Sequence, residues 1–61
     1  MKYCFDDGRP ARLRAHGEGV PRGEYLQPDG TWIEAETWDT FEEADEVPAE
    51  LVLDFWKTPR T

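Results

Sequence analysis

The sequence predicts an α+β fold: a small antiparallel β-meander of three or four short strands, packed against one or two short C-terminal helices. Residues 1–35 alternate apolar and polar side chains, with Asp-Gly turn signals between the runs. After residue 36 the apolar spacing lengthens to three and four residues, which is typical of helices. Sixty-one residues make one domain at most, so residues 1–61 are treated as a single small acidic domain.

The first half of the chain predicts two hairpins. Residues 1–5 and 11–16 each alternate with a period of two, and Asp6–Pro10 supplies the turn between them. A glycine-rich loop over residues 17–23 follows. Strands at 24–27 and 31–35 then pair around Pro28-Asp29-Gly30, in which Pro presets φ and Gly accepts a positive φ. In the second strand Ala11, Leu13 and Ala15 lie on one face, and Arg12, Arg14 and His16 lie on the other.

The second half predicts two short helices. Trp38, Phe41 and Ala44 are three residues apart, which indicates one or two helical turns over residues 39–45, with Thr37 or Asp39 as the cap. Pro48 is placed as the first residue of the second helix, and Pro59 ends it. The sheet is expected to be covered by the apolar stripe of this helix, which comprises Leu51, Val52, Phe55 and Trp56.

The core must form without a disulfide or a structural metal site. Cys4 is the only cysteine, so no intramolecular disulfide can form, and Cys4 and His16 are too few for a structural zinc site. We expect Cys4 to be a small buried hydrophobe rather than a nucleophile activated by His16. The three Trp residues are expected in the core, and one that proves exposed becomes a contact candidate. Trp56, near the C-terminus, is the first choice among them.

The main functional lead is an acidic segment. Nine carboxylates and no Lys or Arg lie between Glu34 and Asp54, interleaved with apolar residues. A negative face that docks on a basic partner is one interpretation, and a solvated outer face of two small helices is the other. A calcium loop is disfavoured because residues 39–46 have no central Gly. The partner-binding candidates are Glu36, Asp39, Glu42, Glu43, Asp45 and Glu46.

The basic residues are concentrated in the first half of the chain. Residues 1–25 carry a net charge of +1 and residues 26–61 carry −8, which gives −7 for the whole chain. Arg12 and Arg14 share a predicted strand face and are secondary contact candidates, together with Trp56. Cross-strand pairing with Glu24, Glu34 or Glu36 is the simpler interpretation of both arginines.

These observations favour a non-enzymatic protein-binding module that has no cofactor and no metal. Its partner would be a basic protein surface, such as that of a nucleic-acid-binding protein, because the net negative charge repels nucleic acid itself. The absence of Ser and Asn is typical of GC-rich genomes, such as that of an actinobacterium or its phage. Regularly spaced carboxylates can stand in for phosphates, so one hypothesis is a phage or mobile-element inhibitor that mimics DNA. The alternative is a structural subunit or a homodimer that uses exposed aromatics. The single free cysteine and the lack of an apolar span indicate the cytoplasm and no membrane partner.

Overall fold

A computed structural model describes residues 1–14, 21–36 and 39–57, and the fold is stated for these ranges. Four antiparallel strands form one sheet in the order β1-β2-β3-β4, so each strand pairs with its neighbour in sequence. Two short helices follow the sheet, which confirms the predicted α+β meander. The elements are β1 (Lys2–Asp6), β2 (Arg9–Arg14), β3 (Arg22–Leu26), β4 (Trp32–Glu34), α1 (Asp39–Glu43) and α2 (Ala49–Leu53).

The first hairpin turns on Asp7 and Gly8, between the paired residues Asp6 and Arg9. Both turn residues have positive φ, 53° for Asp7 and 76° for Gly8. Two successive positive φ angles define a type I′ turn, whose twist matches that of the flanking strands. β2 begins at Arg9, two residues earlier than predicted, and the predicted continuation through residues 15–16 lies outside the described residues.

The second hairpin turns on Pro28-Asp29-Gly30, as predicted. The N–H of Gly30 donates to the carbonyl oxygen of Gln27 at 2.9 Å, and Gly30 has a φ of 91° that suits glycine. The Oδ1 atom of Asp29 accepts hydrogen bonds from the backbone N–H and the hydroxyl of Thr31, at 2.9 and 2.6 Å. These bonds fix the turn and bring β3 and β4 together.

Strand alternation and register divide the side chains between two faces of the sheet. Cross-strand partners share a face, so the pairings Cys4–Ala11 and Ala11–Tyr25 define one side, named here the Cys4 face. The pairings on the other side define the Phe5 face, which carries Phe5, Pro10, Arg12, Leu26 and Trp32.

Helix α1 covers the Cys4 face through one buried ring. Phe41 is fully buried and forms a hydrophobic cluster with Cys4 and Ala11. Its ring meets the ring of Tyr25 edge-on, with 5.2 Å between the centroids. Burial of Cys4 agrees with the expectation that it serves as a small core residue, and burial raises the pKa of its thiol.

Helix α2 covers the opposite, Phe5 face. Val52 is fully buried, and the ring of Phe55 lies 5.7 Å from the ring of Phe5. The chain passes between the faces around the outer edge of β1, where the N–H of Val47 donates to the carbonyl oxygen of Tyr3 at 2.9 Å. The sheet therefore has one helix on each side, an arrangement that the sequence pattern did not specify.

The apolar stripe predicted for the second helix is partly wrong. Val52 and Phe55 face the sheet, but Leu51 is 53% exposed. The helix ends at Leu53 rather than continuing toward Pro59, because the N–H groups of Phe55 and Lys57 bond three residues back and tighten the chain into turns. Pro48 precedes the helix as its N-cap, with an extended ψ of 139°. The predicted core position of Trp38 lies outside the described residues.

Candidate functional site

The six predicted acidic contacts, named here the acidic strip, all lie at the protein surface. Phe41 is buried against the sheet, so the opposite side of α1 faces solvent. Asp39, Glu42 and Glu43 are spaced by three and four residues, so their side chains share the outer surface of this helix. The exposed residues of the strip are Glu36, Asp39, Glu42, Glu43, Asp45 and Glu46.

The side chain of Lys2 contacts the backbone of the acidic strip. Its Nζ donates to the backbone carbonyl oxygen of Glu42 at 3.0 Å, where it supports the C-terminal end of α1. Within residues 1–14, 21–36 and 39–57, no salt bridge joins a carboxylate of the strip to a Lys or Arg. Each pair of like charges three or four residues apart on a helix costs about 0.2–0.5 kcal/mol of helix stability. Repulsion of Asp39 with Glu42 and Glu43 therefore opposes the stability of α1.

The fold divides the nine carboxylates of the acidic segment. The strip follows the chain from the end of β4, along α1 on the Cys4 face, to the outer edge of β1. Glu50 and Asp54 belong to α2 and its C-cap, on the Phe5 face. Glu34 pairs with Glu24 across β3 and β4, which also places it on the Phe5 face. Six of the nine carboxylates therefore form the strip, and three lie apart from it.

Arg12 and Arg14, the secondary contact candidates, pair with a carboxylate across the sheet. The Nε atom of Arg12 lies 2.7 Å from Oε1 of Glu24, and Nη1 of Arg14 lies 3.8 Å from the same oxygen. The Arg12 guanidinium also stacks over the ring of Trp32, 3.8 Å from its centroid. This geometry matches the cross-strand pairing that the sequence indicated. Because the guanidinium of Arg12 is already bonded to Glu24 and stacked on Trp32, Arg12 is a weak candidate for contact with a partner.

Trp56, the third secondary candidate, combines exposure with a fixed position. Its indole N–H donates to the carbonyl oxygen of Leu26 at 2.9 Å, yet 41% of the residue remains exposed. It lies between two hollows, one of about 260 Å³ toward Phe55 and one of about 440 Å³ toward Trp32. Sequence reasoning selected Trp56 but missed Leu53, which lines the larger hollow and is 42% exposed.

The described residues provide little for catalytic chemistry. Cys4 is buried with a raised pKa, so its reactive thiolate form is disfavoured at neutral pH. In the ranges that the structure describes, no three His, Cys, Asp or Glu side chains are grouped closely enough to hold a metal ion. His16, the residue considered as a base, lies outside those ranges. The two candidate sites are therefore the acidic strip and the Trp56 groove, which is the hollow of about 440 Å³ between Trp56 and Trp32.

Comparison with known proteins does not assign the chain to a family. The sequence matches no protein-family model and no curated protein, and the fold matches no solved structure. Helices within the described ranges are all too short or too polar to cross a bilayer. Functional inference therefore rests on the geometry of the two surfaces.

Proposed function

We propose that the protein is a non-enzymatic binding module that docks its acidic strip on a basic surface of another protein. A nucleic-acid-handling protein is the partner that fits best, because its basic groove is built to receive regularly spaced negative charges. In that role the protein acts as a DNA-mimic inhibitor, and a phage or another mobile element is a fitting source. The proposal needs no cofactor.

The observation that carries this proposal is the unpaired state of the strip. Six exposed carboxylates follow one path from β4 to the edge of β1, and among the described residues none of them forms a salt bridge. Glu24 and Asp54, by contrast, each have a cationic partner. Repulsion along the strip, which no salt bridge of the described residues offsets, is explained if an external cationic surface compensates it.

Charge reversal tests the proposal. The wild-type chain, the double variant Glu42→Lys/Glu43→Lys, and the control Glu50→Lys/Asp54→Lys would each be used to capture partners from the host lysate. The control makes the same change in net charge outside the strip. The captured protein would then be titrated by calorimetry at two salt concentrations and in competition with duplex DNA.

The expected result is that the strip variant binds at least about tenfold more weakly, with a smaller salt dependence, while the control stays close to wild type. Competition with DNA supports mimicry. Equal binding by both double variants shows that the strip is only solvated surface. If duplex DNA does not compete with the protein for its partner, the proposed role as a DNA-mimic inhibitor is rejected.

The exposed apolar residues of the α2 region support a second candidate function, that of an assembly subunit or homodimer. Leu51, Leu53 and Trp56 lie close together in sequence and are each 41–53% exposed. Sedimentation at several protein concentrations distinguishes the candidates. A dimer that is insensitive to salt favours assembly through these side chains, whereas a monomer that binds a basic partner favours the acidic strip.

A further inference from the structure

An open groove of about 440 Å³ lies between the β3–β4 turn and the end of α2. Leu26 and Trp32, which pair across the two strands on the Phe5 face, form one wall. Leu53 and Trp56 form the other wall, and Pro28 lines the groove from the turn. Since the acidic strip lies along the Cys4 face and the β1 edge, the groove is a separate surface.

Both indole rings of the groove are held in place before any ligand arrives. The N–H of Trp56 is already bonded to the carbonyl oxygen of Leu26, and its ring packs edge-on against Phe55 with 4.8 Å between centroids. Trp32 is stacked under Arg12, and its ring packs against the ring of Tyr3 with 6.4 Å between the centroids. Fixed aromatic walls lower the entropy cost of binding, because few side chains have to be ordered by the ligand.

The charges around the groove favour a cationic occupant. Among the described residues, Lys57 lines the groove with its Nζ 3.3 Å from Asp54, and Arg12, which stacks on Trp32, is bonded to Glu24. Asp29 lines the groove, and its hydrogen bonds from Thr31 lower the pKa of its carboxyl, so it stays ionised.

Glu34 lies beyond the rim of the groove and does not line it. It is exposed two residues after Trp32 on the same face of β4, where it adds a carboxylate. A second copy of this chain, with a net charge of −7, would bring further negative charge to this rim. A basic segment of another protein is therefore favoured over a second copy.

We infer that this groove binds an extended cationic segment of another protein, with a proline ring between Trp32 and Trp56 and with Arg or Lys side chains beside Asp29 and Glu34. Shallow grooves lined by aromatic side chains suit proline because its ring packs flat on an indole. The polyproline II backbone is also already extended, so little conformational entropy is lost. Arg12 on Trp32 shows that an indole of this groove accepts a stacked guanidinium.

A fluorescent peptide of repeated Arg-Pro-Pro units tests this inference at about 150 mM salt, where charges are screened beyond about 8 Å. Repeated Arg-Gly-Gly and Glu-Pro-Pro units are the control peptides, which remove proline and positive charge separately. We expect saturable one-to-one binding of Arg-Pro-Pro by anisotropy, with a Kd below about 1 mM, and at least about tenfold weaker binding of either control.

Two leucines of α2 provide a matched pair of variants. Leu53→Lys removes an apolar side chain from the groove and places a positive charge there, whereas Leu51→Lys makes the same change at a residue of similar exposure that does not line it. Leu53→Lys should weaken Arg-Pro-Pro binding at least about tenfold, and Leu51→Lys should leave it within about twofold. Asp29→Lys provides a second test at the turn, and circular dichroism confirms that each variant is folded.

Several outcomes would overturn the inference. Equal affinity for Arg-Pro-Pro and Arg-Gly-Gly, or an equal effect of the two leucine variants, shows attraction by charge alone. No saturable binding below about 1 mM also rejects it. A dimer that Leu53→Lys abolishes assigns the groove to a second copy. Glu42→Lys/Glu43→Lys should still bind the peptide through the groove, so failure of the acidic strip and failure of the groove are told apart.

Discussion

The N–H of Val47 donates to the carbonyl oxygen of Tyr3, and this contact takes the chain around the edge of the sheet. Before it, Phe41 packs on the Cys4 face; after it, Val52 and Phe55 pack on the Phe5 face. The sheet thus lies between two thin layers. Each apolar cluster is small, so single substitutions in either should have large effects on stability.

Phe41→Ala is expected to leave most of the protein unfolded at 25 °C. Removing a buried Phe costs about 3–5 kcal/mol, which is as much as the total stability of a domain of this size. The measurement is urea unfolding followed by far-UV circular dichroism. Leu51→Ala is the control, with an expected change within about 0.5 kcal/mol because the side chain is exposed. A cooperative transition at wild-type urea concentration in Phe41→Ala would contradict the placement of this ring.

Gly8→Ala is expected to destabilise the first hairpin through the backbone alone. Gly8 has a φ of 76°, and a Cβ built there meets nothing within 4 Å, so the cost is conformational rather than steric packing. Left-handed backbone costs an L-residue about 1–2 kcal/mol. Asp7→Gly, at a φ of 53°, should be close to neutral, because relief of backbone strain offsets the greater entropy of the unfolded chain. Thermal unfolding of both variants checks the turn, and equal losses at the two positions would rule out the type I′ assignment.

A double-mutant cycle should show that the Arg12–Glu24 pair is coupled. Arg12→Gln, Glu24→Gln and the double variant are expected to give a coupling energy of about 1 kcal/mol or more, because both side chains are largely shielded from water. The exposed pair formed by Lys57 and Asp54 should give less than about 0.5 kcal/mol in the same cycle. Similar coupling for the two pairs would mean that the sheet does not shield Arg12.

Stability should fall at alkaline pH because of Tyr25. Burial raises the pKa of its hydroxyl, with a further contribution from the hydrogen bond that this hydroxyl donates to Asp6. The folded protein holds this proton more tightly than the unfolded chain, so the stabilising effect is complete below about pH 10, the unfolded value. It is lost as the pH rises through the folded pKa.

Urea unfolding at a series of pH values tests this dependence, with Tyr25→Phe as the comparison. The variant should be less stable at neutral pH by about 1 kcal/mol, since it loses the hydrogen bond to Asp6. Its decline above pH 10 should be shallower than that of the wild type. Parallel curves for the two proteins would show that Tyr25 does not titrate differently in the folded state.

The hairpins could be predicted because their causes are local. Asp7-Gly8 and Pro28-Asp29-Gly30 supply residues that accept positive φ at the required positions. Alternation then places Ala11 and Arg12 on opposite faces of the sheet. The sequence limited the cross-strand partner of Arg12 to Glu24, Glu34 or Glu36, and the register between β2 and β3 selects Glu24.

The position of the second helix could not be predicted, because it depends on contacts distant in sequence. The bond from Val47 to the backbone of Tyr3 has no side-chain signature, so nothing in the pattern indicated which face α2 would cover. The same holds for the bond from Trp56 to Leu26. Leu51 lies within α2 and is exposed although its neighbour Val52 is buried, and tight turns rather than a continuing helix carry the chain to Phe55 and Trp56.

A sheet with a separate cluster on each side also has a consequence for how the molecule can change. Phe41 and Val52 lie on opposite sides of the strands, so substitutions at the two positions should be nearly additive in free energy. The acidic strip belongs to one side and the Trp56 groove to the other. Mutations can therefore remodel either surface while leaving the other unaltered, which gives a chain of 61 residues two independently evolvable faces.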